Sequence, residues 1–473
     1  MKPSRSSVHL KISRPRQGGS NWNRAWRAVI DGYGDPVPQS ESIVRDNAVA
    51  DTSESRCDDA PAGAAPDRGS AWFAGRLAGE LIEATDDPTA LDGGGWWAVL
   101  ITFEGERRFW RFAQVESAER PVPRRPSVGV SAASGFRTQL GASSREPGRL
   151  WSGPRPEDWR SSLDRNAYLV GVRRIRHLIR DGEVYQVNLC RVLTAPLPNH
   201  GRDSDPWALQ DLLTDGNPAP YAGVIDVPEL NGIPGTRLVC ASPELFLERE
   251  RNSSGAGGWD RGMGGKQEPG GTARIQGRWD AEGDGDRLTS SPIKGTGATE
   301  ADLLPKDRAE NVMIVDLVRN DLQRVSRAGT IEVPSLLRLE RHPGLVHLVS
   351  TVQGRMRAGA TWSDVFAATL PAGSVSGAPK GSALRAISEL EPVPRGPYCG
   401  AIGFIDADHG YARLAVGIRT FWFENDNLHF GTGAGITWGS SPEQEWAETE
   451  LKAARLIGLA SNQSGNQITK SGK

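Results

Sequence analysis

Three charged residues near the carboxyl end of the chain share one face of a predicted helix. Ser441 is a candidate cap for this helix, and Pro442 suits its first position. Glu445, Glu448 and Lys452 follow at i, i+3 and i+7, a spacing that brings them to the same face. Two carboxylates one turn apart suit a hard cation such as Mg²⁺. Taken alone, this segment favours an exposed helix with a Glu448–Lys452 ion pair over a metal site.

A second predicted helix, residues 308–321, carries a polar stripe that includes Asp316, Arg319 and Asn320. Glu310 lies off that stripe and can face a different environment. An ordinary amphipathic helix with an ion-paired face is the alternative interpretation.

Two glycine-rich segments could bind an anion through backbone N–H groups. Residues 370–380 form a turn-rich loop before a predicted helix at 382–390, a combination that favours anion binding. The spacing departs from a phosphate-binding loop and Pro379 precedes Lys380, so we reject nucleotide binding. Residues 431–435 (GTGAG) do not match a dinucleotide fingerprint and indicate a bend, or a close approach of a backbone or ligand.

Three isolated residues complete the chemical candidates. Lys294 stands between Ile293 and Gly295, where partial desolvation would lower its pKa and free the amine as a nucleophile. A solvated lysine in a turn is the alternative interpretation. His347 lies in a strand pattern that is apolar on both faces, which also fits a hydrogen-bonded core histidine. Arg419 ends an apolar strand, where a guanidinium can hold a carboxylate through two hydrogen bonds or form a surface ion pair.

The elements that must position these residues follow from periodicity. Apolar spacing predicts a helix over 163–180 and strands over 93–103, 107–112 and 185–194. Composition divides the chain into a poorly ordered segment 1–70, an N-terminal subdomain with linker 71–160, a catalytic domain 161–460 and a disordered tail 461–473. A glycine-rich stretch at 251–288 is predicted to be a flexible insertion in the catalytic domain.

Bulk composition excludes several classes of function. The 473-residue chain has a formal net charge of −2, which favours neither nucleic acid nor a membrane surface as partner. No run of residues is long and apolar enough to predict a membrane span. Four widely spaced cysteines, without a CxxC pair, indicate reduced thiols rather than a disulfide framework or a zinc site. The chain is therefore predicted to be a cytoplasmic enzyme.

Taken together and in this order, the motifs resemble those of the chorismate-binding enzymes. That family includes component I of anthranilate synthase, component I of aminodeoxychorismate synthase, and the isochorismate and salicylate synthases. The resemblance runs from about residue 164 to residue 459. It rests on GEVYQVNL (182–189), SPELFLER (242–249), PIKGT (292–296), AENVMIVDLVRNDL (309–322), HLVS (347–350), PAGSVSGAPKGSA (371–383), YCGAIGF (398–404), GIRT (417–420), GTGAGI (431–436) and SPEQEWAETELKA (441–453).

The resemblance implies a fold and a set of residue roles. The expected fold is α+β, with two antiparallel β-sheets packed as a sandwich and surrounded by helices. Mg²⁺ is expected as cofactor, held by Glu310 and Glu448 with help from Glu445, and binding the ring carboxylate of chorismate. The expected catalytic residues are Lys294 and His347, the latter near the departing C4 hydroxyl. The expected substrate-binding residues are Gly295, Thr296, Ser374, Lys380, Tyr398, Arg419, Gly433, Ala434 and Gly435.

Lys294 discriminates between branches of the family. At this site anthranilate synthases resemble PIAGT and aminodeoxychorismate synthases resemble PIKGT, so the resemblance implies conversion of chorismate and ammonia to 4-amino-4-deoxychorismate. The chain lacks the GxCxG nucleophile motif of a glutamine amidotransferase, and a separate subunit is expected to supply ammonia. Two alternatives stay open, namely anthranilate synthase component I and a non-catalytic chorismate-binding relative.

Overall fold

Antiparallel strands form the framework of the protein, and helices cover them. The computed structural model describes residues 69–119, 151–251 and 285–461, apart from 298, 304, 343 and 344. The predictions for segment 1–68, for most of the linker, for residues 252–284 of the insertion and for the tail from 462 lie outside the described residues. The described residues belong to one unit.

Within the described ranges the chain forms eighteen strands and six α-helices. The strands are β1 Ser70–Phe73, β2 Arg76–Thr85, β3 Trp96–Ile101, β4 Arg107–Ser117, β5 Arg160–Ser161, β6 Gln186–Pro196, β7 Tyr221–Val227, β8 Thr236–Ser242, β9 Leu245–Glu250, β10 Arg287–Ser291, β11 Ile293–Gly297, β12 Glu332–His342, β13 Leu345–Arg355, β14 Gly377–Ala378, β15 Ala401–Asp406, β16 Tyr411–Val416, β17 Thr420–Glu424 and β18 Asn427–Ile436. The helices are α1 Arg165–Arg180, α2 Pro206–Gly216, α3 Pro305–Gln323, α4 Trp362–Thr369, α5 Lys380–Leu390 and α6 Pro442–Ala460.

The strand pairing divides the framework into two antiparallel halves. The first half follows the order β7-β8-β17-β18-β6, with β5 and β14 beside β6. The second half follows the order β4-β3-β15-β16-β9-β10-β13, with β11 and β12 beside β13. The halves face each other where Lys294 of β11 reaches Gly435 of β18. The predicted α+β class with antiparallel sheets is confirmed.

A hairpin joins the two halves into one hydrogen-bonded network. Strand β1 pairs with β7 of the first half, β2 pairs with β1, and β4 pairs with β2. In addition, β3 pairs with β15 along its whole length, from Trp96 opposite Asp406 to Ile101 opposite Ala401. The strands of the predicted N-terminal subdomain thus continue the sheet of the catalytic domain, because their backbone groups find their partners there. The described end of the predicted insertion also belongs to the sheet, since Arg287 starts β10.

Buried strands and amphipathic helices have the sequences that their places require. Strand β3 (WWAVLI) and strand β15 (AIGFID) are buried at every residue, as expected of strands covered on both faces. Helix α1 buries the apolar face that its periodicity predicts, and it begins one residue after Asp164, whose carboxylate accepts a hydrogen bond from the Ala167 N–H at 2.8 Å. No helix in the described ranges is both long and apolar enough to cross a membrane.

The chain passes directly between the halves at two short crossings. Pro243 and Glu244 connect β8 of the first half to β9 of the second. Gly417 to Arg419 connect β16 of the second half back to β17 of the first, and Arg419 adopts a φ of 52°. A non-glycine residue in the left-handed region is uncommon and is found where a turn requires it. These crossings bring polar residues to the ends of otherwise apolar strands.

Candidate active site

Lys294 directs its amine into the space between the two halves. Its Nζ atom lies 2.8 Å from the position that a Cβ atom on residue 435 would occupy, so it lies directly beside Gly435 of β18. The positive charge of Lys294 favours the ionised form of Glu244, Glu310 and Glu448. It opposes the effect of burial on Glu244 and Glu310, whose pKa values are raised, and contributes to the lowered pKa of Glu448. The amine thus faces several carboxylates from three different elements.

A bulge in β11 aims the lysine. The register between β11 and β13 shifts between Ile293 and Thr296, which leaves Lys294 and Gly295 outside the regular ladder. Such a bulge turns a side chain away from its regular direction. Gly295 has a φ of 86°, and a Cβ atom there would lie 2.8 Å from the Cβ of Asp307 in α3. Residue 295 must therefore be glycine, both for its backbone conformation and for the approach of α3.

Glu244 is a buried carboxyl group beside Lys294. The Ser374 hydroxyl donates a hydrogen bond to its Oε1 at 2.6 Å, and both residues are buried. Burial raises the pKa of Glu244 to about 7, although the hydroxyl of Ser374 and the charge of Lys294 oppose that shift. A carboxyl group with this pKa holds a proton near neutral pH and can transfer it.

Glu310, Glu445 and Glu448 form an acidic cluster. Burial raises the pKa of Glu445, and the charges of Glu448 and Glu310 raise it further. Burial also raises the pKa of Glu310, which accepts a hydrogen bond from the Thr437 hydroxyl at 3.3 Å. The three carboxylates, supplied by α3 and α6, therefore feel one another's charge.

Lys452 partly neutralises the acidic cluster. Its Nζ atom lies 2.6 Å from Glu448 Oε1 and donates a hydrogen bond to the Gly433 carbonyl at 3.2 Å. Burial raises the pKa of Glu448, but Lys452, Lys294 and Lys306 together outweigh burial, so the pKa is lowered. Each of the two side chains keeps 43% of its surface accessible. The Glu448–Lys452 pair expected from the helix spacing is thus formed inside the site.

The acidic cluster has the donor chemistry that Mg²⁺ prefers. It offers carboxylate oxygens only, which are hard ligands, and two of its members are held at raised pKa by burial and mutual repulsion. A divalent cation would relieve both effects. In the described part of the chain no three acidic, histidine or cysteine side chains lie close enough to form a ready-made metal site. The donor set fits the ion, and binding would draw the carboxylates closer together.

Arg419 and the edge of β18 offer complementary groups for an anion. Burial lowers the pKa of the Arg419 guanidinium, and no carboxylate in the described ranges offsets that effect. Pairing between β17 and β18 stops at Phe421 opposite Phe430, so the edge of 431–436 that faces away from β6 has no strand partner among the described residues. Backbone groups of an antiparallel strand alternate between its two edges, so some N–H groups of the segment that includes Gly433, Ala434 and Gly435 point to this edge. The segment lies just beyond the start of β17, which Arg419 directly precedes.

Tyr398 packs behind this edge. Its ring lies against Gly431, where a Cβ atom would come within 2.0 Å of the ring. The side chain is 5% exposed, and burial raises the pKa of the phenol well above its usual value of 10. The neighbouring thiol of Cys190 contributes to that shift. The structure therefore places Tyr398 as a support beneath β18, with its phenol close to Cys190.

Two other predicted residues occupy different places. His347 in β13 is 1% exposed and pairs in register with Thr296 of β11, next to Lys294 in the sequence motif. Lys380 at the start of α5 forms a buried ion pair, 2.7 Å from the carboxylate of Asp321 near the end of α3. The structure brings His347 to the strand that carries Lys294, whereas it brings Lys380 to Asp321 rather than to the acidic cluster.

Sequence reasoning missed two residues of the site. Glu244 and Gln186 both lie inside motifs that carry the family resemblance, yet neither was proposed as a functional residue. A glutamate between the buried strands β8 and β9 was the available signal, because a charged residue is seldom buried without a purpose. Gln186 likewise begins the buried strand β6.

A small cavity adjoins Glu244 and Ser374. Leu245, Phe246, Val318 and Leu322 give it a largely apolar lining. Lys294, Arg419 and the acidic cluster do not line it. The charges that could hold a dicarboxylate therefore lie outside this cavity. We place the candidate active site at Lys294, Arg419 and the acidic cluster.

Comparison with known proteins gives the family and the fold of the chain. The model of the family described as chorismate binding enzyme matches residues 49–254 and 281–458. Anthranilate synthase component 1 of Haloarcula marismortui is 35% identical over 320 residues, which are 65% of this chain and 56% of that protein. The Thermus thermophilus anthranilate synthase component 1 is 38% identical over 311 residues, which are 63% of this chain and 57% of that protein. The chain thus spans little more than half the length of these relatives.

Solved structures show the same fold. Anthranilate synthase component I from Streptococcus pneumoniae superposes with a TM-score of 0.57 at 23% identity, over 84% of this chain and 94% of that one. The menaquinone-specific isochorismate synthase of Escherichia coli gives a TM-score of 0.57 at 17% identity, over 83% of this chain and 89% of that one. At these identities the similarity concerns the fold alone.

Proposed function

The chain belongs to the family of chorismate-binding enzymes, and from this premise we propose that it is an aminodeoxychorismate synthase component I, which converts chorismate and ammonia to 4-amino-4-deoxychorismate. The observation that carries the proposal is the amine of Lys294 beside Gly435, in the field of Glu244, Glu310 and Glu448. A lysine there supplies a nucleophile where an alanine could not.

The first chemical step forms a covalent bond with Lys294. The free amine attacks ring C2, the conjugated double bonds of the ring shift, and the C4–O bond breaks. The C4 hydroxyl leaves as water after accepting a proton, and the lysine nitrogen loses one. Glu244 is our candidate for the proton donor, because a carboxyl group with a pKa of about 7 is still partly protonated near neutral pH. His347 is retained as a catalytic candidate near the departing hydroxyl.

The second step releases the lysine. Ammonia forms a bond to C4, the double bonds shift back, and the bond between C2 and the Lys294 nitrogen breaks. The lysine regains its proton and the product carries the amino group at C4. Two displacements with an activated nucleophile replace one difficult displacement of hydroxide. A separate glutamine amidotransferase subunit is our proposed source of ammonia.

Different groups of the site are proposed to bind the two carboxylates of chorismate. Arg419, with the N–H groups of Gly433 to Gly435, suits the enolpyruvyl carboxylate, because its guanidinium has no carboxylate partner in the described ranges. Gly295, Thr296, Ser374 and Tyr398 are proposed to border the substrate, and Lys380 is proposed to support that wall through its ion pair with Asp321. Glu310, Glu445 and Glu448 would hold Mg²⁺, which would neutralise the ring carboxylate.

Anthranilate synthase component I is the second candidate. The relatives from Haloarcula marismortui and Thermus thermophilus, at 35% and 38% identity, carry that name. This activity would place the amino group at C2 and eliminate pyruvate, and it has no need for a lysine nucleophile. The location of Lys294 therefore favours the first proposal.

A product assay separates the candidates. The purified chain is incubated with chorismate, Mg²⁺ and an ammonium salt, and the products are analysed before and after treatment with a lyase that releases 4-aminobenzoate. A product that yields 4-aminobenzoate only after the lyase supports the proposal. Fluorescent anthranilate supports the second candidate. Chorismate binding without turnover would instead indicate a non-catalytic relative.

The Lys294→Ala variant tests the nucleophile. It should lose 4-amination by about 10³-fold or more, since the covalent route is closed, while still binding chorismate in a Mg²⁺-dependent manner. Lys306→Ala is the matched control, because it removes a positive charge 3.9 Å from Glu445 without removing the proposed nucleophile. It should reduce the rate far less. Undiminished 4-amination by Lys294→Ala would remove that residue from the mechanism.

Adding a glutamine amidotransferase subunit tests the source of ammonia. The lone chain should use ammonium salts but not glutamine, and the partner should confer glutamine-dependent turnover. Glutamine-dependent activity of the lone chain would contradict the expected division of labour.

A further inference from the structure

Gln186 is a buried polar side chain whose hydrogen-bonding groups are unused. It begins strand β6 and is 0% exposed. Neither its amide nitrogen nor its carbonyl oxygen has a hydrogen-bond partner among the described residues. A buried polar group without a hydrogen-bond partner destabilises the folded protein. A carboxamide that leaves both groups unpaired therefore carries a cost that its packing does not explain.

The carboxamide of Gln186 and the amine of Lys294 border the same open space beside Gly435. The Nε2 atom of Gln186 is 2.7 Å, and the Nζ atom of Lys294 is 2.8 Å, from the same point, the position of a Cβ atom on residue 435. Gly435 leaves that space open, and any side chain there would separate the two groups. Rotation of the terminal amide exchanges its nitrogen and oxygen at almost no steric cost. The oxygen can thus be presented to Lys294.

We propose that Gln186 is a positioning residue for the Lys294 amine, whose carboxamide oxygen accepts an N–H of that amine and so points the nitrogen lone pair at the ring carbon. The inference rests on the proposed function, because it concerns the direction of the nucleophile. The absence of other partners leaves the carboxamide available for this bond. Holding a nucleophile in the attacking direction raises the rate of bond formation without tightening substrate binding.

The carboxylates that act on Lys294 already have hydrogen-bond or ion-pair partners of their own. Glu244 is already engaged by the Ser374 hydroxyl, Glu448 by Lys452 and Glu310 by the Thr437 hydroxyl. These carboxylates supply charge, which acts over distance, whereas a neutral acceptor at fixed range supplies direction. In this proposal, Gln186 fixes the orientation of the Lys294 amine.

The test compares Gln186→Met with the matched control Gln210→Met. Gln210 in α2 is 1% exposed, and its carbonyl oxygen also has no partner among the described residues, but it lies in the helix that covers the outside of the first half. Each protein is mixed with chorismate and Mg²⁺ without ammonia. The growth of a protein adduct equal in mass to chorismate minus water is followed by intact mass spectrometry, and chorismate affinity is measured by equilibrium binding.

Gln186→Met should form the adduct at least about tenfold more slowly than wild type, with a chorismate Kd within about twofold. Gln210→Met should match the wild-type adduct rate. Gln186→Glu keeps an acceptor oxygen at the same reach, so its rate should lie closer to wild type than that of Gln186→Met. This rescue would distinguish positioning from a purely structural role.

Other results would overturn the inference. A wild-type adduct rate in Gln186→Met removes Gln186 from the mechanism while leaving Lys294 in it. An equal loss of chorismate affinity in Gln186→Met and Gln186→Glu would make Gln186 a substrate-binding or packing residue instead. Absence of any adduct in wild type, together with absence of 4-amino product, is the failure of the proposed function itself.

Discussion

Two charged regions adjoin strand β6, one at Asn188 and the other at Gln186, and they differ in how completely their charges are paired. In the first, the Arg395 network, the guanidinium of Arg395 donates two hydrogen bonds to Glu391 at 2.6 and 2.7 Å. It also donates to the carbonyl oxygens of Val375 and Asn188, both at 2.8 Å. In the candidate active site, the charges of Lys294, Lys306 and Lys452 act on the three carboxylates of the acidic cluster, with Lys306 only 3.9 Å from Glu445. Arg419 there has no carboxylate partner in the described ranges.

The difference teaches which buried charges are structural. When a buried charge is fully paired, its hydrogen bonds and its counter-charge offset the cost of desolvation. Such a charge has no hydrogen-bonding group available for a ligand. A guanidinium without a carboxylate partner in the described ranges, such as Arg419, can instead hold a carboxylate of a ligand. Carboxyl groups whose pKa is raised by burial, such as Glu310 and Glu445, can be stabilised in their charged form by a cation. Glu104 and Glu244 sharpen the contrast, because burial raises the pKa of each to about 7. Glu104 accepts hydrogen bonds from the Arg395 and Gly396 N–H groups, whereas Glu244 faces Lys294.

The largest expected effect separates these two glutamates by activity. Glu244→Gln should lower kcat by about 10²–10⁴-fold, because an amide cannot supply the proton that the leaving hydroxyl needs. Glu104→Gln, the same substitution in the Arg395 network, should stay within about tenfold of wild type. Steady-state rates with an ammonium salt measure both. Equal losses in the two variants would mean that Glu244 acts through stability alone.

The next effect concerns folding. Arg395→Met should lower the free energy of unfolding by about 3–5 kcal/mol, since it leaves Glu391 buried without its counter-charge. Arg419→Met, a matched loss of a guanidinium in the active site, should change stability little or raise it. Urea unfolding of both variants is the measurement. A larger loss in Arg419→Met than in Arg395→Met would reverse our assignment of the two regions.

A smaller effect appears in the pH dependence of stability. The folded-state pKa of Glu244 is about 7 against an ordinary value of 4.5, so the folded protein binds more protons than the unfolded chain between these pH values. Wild-type stability relative to Glu244→Gln should therefore fall as pH rises from about 4.5 to about 7, by up to about 3 kcal/mol, and then level off. Urea unfolding at pH 5, 6, 7 and 8 checks this. A difference that grows with pH would contradict the raised pKa.

The smallest effect concerns substrate affinity. Arg419→Lys keeps the charge but loses the planar pair of donors, and should raise the KM for chorismate by about 10- to 100-fold with a smaller change in kcat. Arg413→Lys is a control, because the guanidinium of Arg413 is already paired with Glu248 at 2.7 Å. An unchanged KM in Arg419→Lys would mean that this end of the cleft does not hold a carboxylate.

The sequence determined the elements and the chemical types of the site. Periodicity gave helix α1 and strand β6 to within about two residues, because those patterns reflect burial of one face or of both. The spacing of Glu448 and Lys452 correctly gave their ion pair, since one helical turn separates them. Motif order gave the family, and with it Lys294 as a candidate nucleophile.

Only the tertiary structure decided which of these residues meet. Lys294 and Gly435 are 141 positions apart in the sequence, and the facing of the two sheet halves brings them into contact. Local patterns also did not indicate that β3 pairs with β15 or that Lys380 forms an ion pair with Asp321. They did not indicate that burial raises the pKa of Glu244 to about 7. Pairing across a sheet and the pKa of a buried group depend on neighbours that are distant in the chain, so a local pattern cannot encode them.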